Sequence, residues 1–111
     1  EDLVVLDILI INSKYNNLIT FYGLNSLNNS KKLIINLENN LNQSVESATY
    51  IGDRRWNLKL KNQIILQLPE NDINQAITNY NNIYSSFSNT DLKDIESIDL
   101  RINNKAIIKL I

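Results

Sequence analysis

The spacing of apolar residues changes along this chain, and that change constrains the fold more than any other feature. Leucines recur at every fourth position within residues 30–42, which predicts a helix there. From Val45 the apolar residues alternate with polar ones, which is typical of a half-buried strand. After a break at Gly52, which suits a bulge or a change of strand direction, Trp56, Leu58 and Leu60 lie on one side of the continuing alternation.

The second half of the chain repeats the change of spacing. Apolar residues at every third or fourth position predict a second helix over residues 72–87, and Asp72 with Gln75 fits a capping box at its start. Residues 98–102 alternate again, and a turn separates them from an apolar segment at 106–111. These two segments are predicted to be the last strand pair.

The first apolar segment, residues 3–11, fits a strand and almost equally well a short buried helix. The length of 111 residues suits one domain. The sequence therefore predicts a single α+β domain over residues 1–111, an antiparallel sheet with two main helices packed on one face.

Composition removes several classes of function. The chain has no Cys and no His, so thiolate zinc sites, disulfides and histidine general-base chemistry are excluded. The net charge of -1 gives no general attraction to nucleic acid. We therefore expect no cofactor, no metal site, no nucleic-acid partner and no small-molecule substrate. The longest apolar run, at 3–11, is much shorter than the roughly 20 residues of a membrane-spanning helix.

Several short motifs follow one another in an order that resembles a known family. They are Arg54-Arg55-Trp56 at the start of a strand, Leu68-Pro69 after a hairpin, a helix containing Ala76, and Ile98-Asp99-Leu100-Arg101 before the last turn. In this order and spacing the chain resembles the periplasmic β-domain of the bacterial cell-division protein family FtsQ/DivIB. The resemblance covers residues 45–111 well and the segment around 18–23 more loosely.

This resemblance implies a non-catalytic scaffold domain of the divisome, located in the periplasm at the division septum. It implies binding to FtsB, and to FtsL through FtsB, by addition of a partner strand to the last strand of the sheet (β-augmentation). It also implies a single-pass inner-membrane protein whose membrane helix and POTRA domain lie upstream, so that contact with the membrane is made only through that helix.

The resemblance also suggests which residues meet the partner. Arginines near the Arg-Arg-Trp strand and in Asp-Leu-Arg would bind partner carboxylates, and Ile102 stands where the family often has an aromatic contact residue. The last strand would present one row of alternate side chains. The expected partner-binding residues are Arg54, Arg55, Arg101, Ile102, Asn104, Lys105, Ile107, Lys109 and Ile111.

Other interpretations of the same residues stay open at this point. Lys105 and Lys109 could blunt an ordinary edge strand, and an arginine could pair within the domain, with Asp99 or Asp53. The chain could also belong to another membrane-tethered assembly or secretion complex. A cell-wall hydrolase would need two carboxylates converging in a cleft, and the candidates are Asp91, Asp94, Glu96 and Asp99.

Overall fold

A computed structural model describes residues 5–8, 19–87, 89–102 and 104–111. Within these residues, seven strands form one sheet whose spatial order follows the chain. The elements are β1 Val5–Ile8, β2 Ile19–Tyr22, α1 Ser26–Asn40, β3 Val45–Ile51, β4 Arg55–Leu60, β5 Ile65–Gln67, α2 Ile73–Ser86, α3 Asn89–Leu92, β6 Ile95–Asp99 and β7 Ile107–Leu110. The segment predicted at 3–11 is a strand where it is described, and residues 3–4 and 9–11 lie outside the described residues.

The α+β class is confirmed, but the prediction of an antiparallel sheet is wrong. The pairs β2–β3 and β5–β6 are parallel, and the other neighbouring pairs are antiparallel. Helix α1 connects β2 to β3, and α2 with α3 connects β5 to β6. Such a connection carries the chain back to the end where the first strand began, so the second strand runs in the same direction. Apolar spacing identifies a strand but carries no information on its direction.

The two main helices begin differently from the prediction. The predicted helix 72–87 is confirmed as α2, but the capping box is wrong, because Asp72 is left-handed (φ 60°) and its side chain makes no cap bond. Gln75 instead donates to Asn79 Oδ1. Helix α1 begins at Ser26, ahead of the predicted start, because the Ser26 amide donates to the carbonyl of Gly23 in a tight turn.

Both helices pack on one face of the sheet, where a row of mostly buried side chains crosses the strands. Neighbouring residues in this row are register partners, and they are Phe21, Ala48, Leu58, Leu66, Ile98 and Ile108. The helices contribute Leu33 and Leu37 of α1 and Ala76, Ile77 and Tyr80 of α2 to the same core. Each fully buried leucine or isoleucine side chain stabilises the fold by roughly 1.5–3 kcal/mol. Both helices are needed for this stabilisation, because they cover these side chains on one face of the sheet.

The opposite face of the sheet, here called the open face, is mostly polar. A second row of register partners crosses it, comprising Tyr22, Thr49, Asn57, Gln67, Asp99 and Ile107. The polar members of this row are half-buried by their neighbours along and across the strands. Because both rows end in β7, the last residue of each lies at the edge of the sheet. No helix in the described part of the chain has the length and apolar character to cross a bilayer.

Candidate partner-binding edge

Strand β7 is the last strand in the order of the sheet. Within the described residues its one neighbouring strand is β6, which pairs with it antiparallel from Asp99↔Ile107 to Ile95↔Leu110. A strand with a neighbour on one side only presents backbone N–H and C=O groups to the other side. The structure therefore has the exposed edge on which strand addition depends.

The direction of each backbone group in β7 follows from one hydrogen bond. The Ile111 amide donates to the carbonyl of Asp94, at 2.9 Å, across the β6–β7 pair. Because consecutive residues of a strand point their backbone groups to opposite sides, Lys109 and Ile107 also face β6. The backbone groups of Ile108 and Leu110 face away from the sheet, and we call these groups the outward groups.

Apolar side chains dominate this edge. Ile107 is 52% exposed, Leu110 is 63% exposed and Ile111 is 86% exposed, whereas Ile108 packs partly against the core. Alternation places Ile107, Lys109 and Ile111 on the open face and Ile108 and Leu110 on the helix face. A partner strand would cover apolar surface on both faces.

A β-bulge in β6 distinguishes the position of Lys109. The register shifts between Ile95 and Ser97, so Glu96 is an extra residue opposite Lys109. The Glu96 carboxylate forms an ion pair with Lys109 Nζ, at 3.0 Å. Both side chains are largely exposed, so the pair stabilises the fold by little.

Two arginines and one aspartate meet on the open face near the same end of the sheet. Arg101 donates from Nε and Nη2 to the two carboxylate oxygens of Asp99, at 2.8 and 2.7 Å. Hydrogen bonds from the Arg101 side chain hold the pKa of Asp99 below its usual range, and the charge of Arg55 acts in the same direction. The intramolecular pair considered from the sequence is thus present, and Arg55 adds a second cation beside it.

The two adjacent arginines lie in different surroundings. Gly52 has φ +60° in the β3–β4 turn, and Arg54 is an exposed residue of that turn. Arg54 lines a groove on the helix side together with Tyr50 and Trp56. Arg55 is the first residue of β4 and lies on the open face, since Trp56 is buried (3% exposed) in the core. The structure therefore groups Arg55, not Arg54, with Arg101.

The remaining expected residues lie in the β6–β7 turn. Ile102 is half exposed and Asn104 is left-handed (φ 60°), and both line a cavity of about 300 Å³ beside α2. Lys105 is exposed just before β7, and its amide donates to the carbonyl of Ile102 at 3.1 Å. Sequence reasoning omitted Ile108 and Leu110, whose outward groups depend on the hydrogen-bond pattern with β6, which apolar alternation does not reveal.

The acidic residues proposed for a hydrolase do not form a paired site. The carboxylate of Glu96 pairs with Lys109 and that of Asp99 with Arg101, whereas Asp91 and Asp94 are exposed on the surface. No three acidic side chains converge as metal ligands anywhere in the described ranges. The lowered pKa of Asp99 is also opposite to the raised pKa of a general acid.

The chain matches one protein-family model over residues 4–101, that of the cell division protein FtsQ/DivIB, C-terminal. The match includes the arginines discussed above and ends before β7. The features of β7 therefore rest on the structure of this chain.

Curated relatives agree with this family. The chain is 31% identical over 80 residues to a "Cell division protein FtsQ" of Rickettsia felis, covering 70% of this chain and 30% of the relative. It is 30% identical over 73 residues to one of Bradyrhizobium diazoefficiens, covering 63% of this chain and 20% of the relative. A similar protein of Rhizobium meliloti is 27% identical over 66 residues, covering 60% of this chain and 21% of the relative.

Proposed function

Since this chain belongs to the FtsQ/DivIB family of cell-division proteins, we propose that it is a non-catalytic scaffold domain that binds the divisome protein FtsB, and FtsL through FtsB, by strand addition to β7. The proposal is supported mainly by the backbone groups on the outer side of β7. The outward groups of Ile108 and Leu110 have no strand beside them among the described residues. An added strand would satisfy them and cover the exposed Ile107, Leu110 and Ile111.

Arg55 and Arg101 give the proposed site its charge. Asp99 neutralises one of these two guanidinium groups, so the open face keeps an excess positive charge near the start of β7. Carboxylates of the partner would bind there, because guanidinium groups form paired hydrogen bonds with carboxylates. Ile102, Asn104 and Lys105 would contact the partner beside the turn, whereas Arg54 would contact only a partner that reaches the helix side.

The domain would be carried by a longer protein. The chain spans 20% to 30% of the length of the curated relatives described above. We propose that residues 1–111 form the distal periplasmic domain of a single-pass inner-membrane protein at the septum, with a membrane helix and a POTRA domain upstream. Sequencing upstream of Glu1 in the same gene tests this arrangement.

Calorimetry with the periplasmic segment of the FtsB homologue from the same genome tests the binding site. Leu110→Pro removes an outward N–H, and Leu110→Ala is the matched control that shortens the side chain but keeps this group. We expect Leu110→Pro to weaken binding by about tenfold or more, and Leu110→Ala to weaken it by about threefold at most. Equal affinity of the wild-type domain and Leu110→Pro would contradict strand addition at β7.

Arg101→Glu tests the charged part of the site in the same assay. It reverses the charge that faces the partner and leaves Asp99 beside a second carboxylate. We expect a loss of affinity that is smaller at high salt, because exposed charges are screened. Lys31→Glu is the control, since Lys31 is an exposed residue of α1 on the helix side of the sheet.

A further inference from the structure

Lys109 occupies the one position of β7 that lies between the two residues with outward groups. Its own backbone groups face β6, so a strand that bonds to both Ile108 and Leu110 places one residue directly opposite Lys109. In an antiparallel pair, residues at such a site have Cβ atoms about 4.5–5.5 Å apart. The side chain of the opposite residue therefore interacts directly with the side chain of Lys109, and its charge attracts or repels the ammonium group.

A second copy of this chain would place the wrong residue there. Two copies related by a twofold axis pair antiparallel, and the register that uses Ile108 and Leu110 of both copies centres the axis on Lys109. Lys109 would then face Lys109 of the other copy, and like charges directly opposite one another are unfavourable. Sliding the register by two residues removes this clash, but it moves an outward group beyond the end of β7.

The side chains around Lys109 indicate which kind of partner strand would fit beside β7. On the open face it lies between Ile107 and Ile111, which are both more than half exposed. Its pairing with Glu96 keeps the ammonium on this face and leaves the pair exposed to solvent. A strand with apolar residues beside the isoleucines and a carboxylate between them would match this row.

We infer that Lys109 determines the specificity of β7: it disfavours pairing with a second copy of this edge and favours a partner strand that carries a carboxylate between apolar residues. This inference deepens the proposed function and rests on β7 being the binding edge. It assigns to Lys109 a different role from that of Arg55 and Arg101, which lie beyond the paired part of β7.

A mixing experiment tests the inference without FtsB. The double variant Glu96→Lys, Lys109→Glu reverses the internal ion pair and presents a carboxylate between Ile107 and Ile111. This charge-swapped domain is the probe, and sedimentation equilibrium measures its association with the wild-type domain. The matched control is the charge-swapped domain that also carries Leu110→Pro.

We expect the mixture to associate on the order of tenfold more tightly than either domain associates with itself. The effect should decrease with salt, and Leu110→Pro should abolish it. The inference is overturned if the wild-type domain alone dimerises through β7, or if the mixture associates no more tightly than the separate domains. Failure of the FtsB segment to bind the wild-type domain would instead count against the proposed partner, so the two failures are distinguishable.

Discussion

Proline at two neighbouring positions of β7 should destabilise the domain to very different extents, because the two amides point in opposite directions. The Lys109 amide faces β6, in step with the Ile111 amide that donates to Asp94 at 2.9 Å. The Leu110 amide faces away from the sheet. Proline removes the N–H in both variants, but only Lys109→Pro removes it from the ladder.

The magnitude follows from what each proline displaces. Lys109→Pro loses one backbone hydrogen bond, leaves an acceptor of β6 without its donor and forces a ring against that strand, which should destabilise the domain by about 2–3 kcal/mol. Leu110→Pro loses no hydrogen bond within the sheet, and the leucine side chain is 63% exposed. The expected change in its free energy of unfolding is about 0.5 kcal/mol.

Urea denaturation followed by far-UV circular dichroism measures both values. Lys109→Ala and Leu110→Ala serve as controls that subtract the loss of each side chain, including the ion pair of Lys109 with Glu96. Equal destabilisation by Leu110→Pro and Lys109→Pro would contradict the opposite directions of the two amides. A larger effect of Leu110→Pro than of Lys109→Pro would mean that the assignment of outward groups is wrong by one residue.

Two further predictions concern residues away from β7. Asp99→Asn should destabilise the domain by about 1 kcal/mol at neutral pH, because it breaks the charged bonds from Arg101. Because the pKa of Asp99 is lowered, its contribution to stability is present above a pH of about 4 and is lost at lower pH. The free energies of unfolding of the wild-type domain and Asp99→Asn, measured by urea denaturation, should therefore converge at low pH. A difference that stays constant with pH would contradict the pairing of Asp99 with Arg101. Gly23→Ala should destabilise the domain by about 3 kcal/mol or more, because φ is +106° and a Cβ would overlap the Tyr50 carbonyl oxygen. Gly52→Ala, with φ +60° and open space around it, should cost only about 1 kcal/mol, and equal melting temperatures for the two variants would refute this account of Gly23.

The helices and the faces of the strands could be predicted from the sequence because they follow from apolar spacing alone. The spacing within α2 identified it to within a residue at each end, and the alternation of Trp56 and Leu58 placed both in the core. Strand direction was not predictable in this way, because it depends on which strands the crossover helices connect.

In β7, likewise, the sequence predicted the face of each side chain but not the direction of each backbone amide. Ile107 and Lys109 were expected to share a face, and they do so by alternation. The direction of each β7 amide depends on which residues of β7 form hydrogen bonds with β6, and on the bulge at Glu96. The spacing of apolar residues reveals neither of these features. Likewise, the sequence offered Arg54 and Arg55 as equals, and only the turn at Gly52 separates them.

Amide hydrogen exchange by NMR, with and without the periplasmic segment of FtsB, tests strand addition most directly. In the free domain the Ile107 and Lys109 amides should already be protected by β6, whereas the Ile108 and Leu110 amides should exchange freely. On addition of the partner, the account predicts that the Ile108 and Leu110 amides become protected. Partner binding that leaves these two amides exchanging at the rate of the free domain would contradict it.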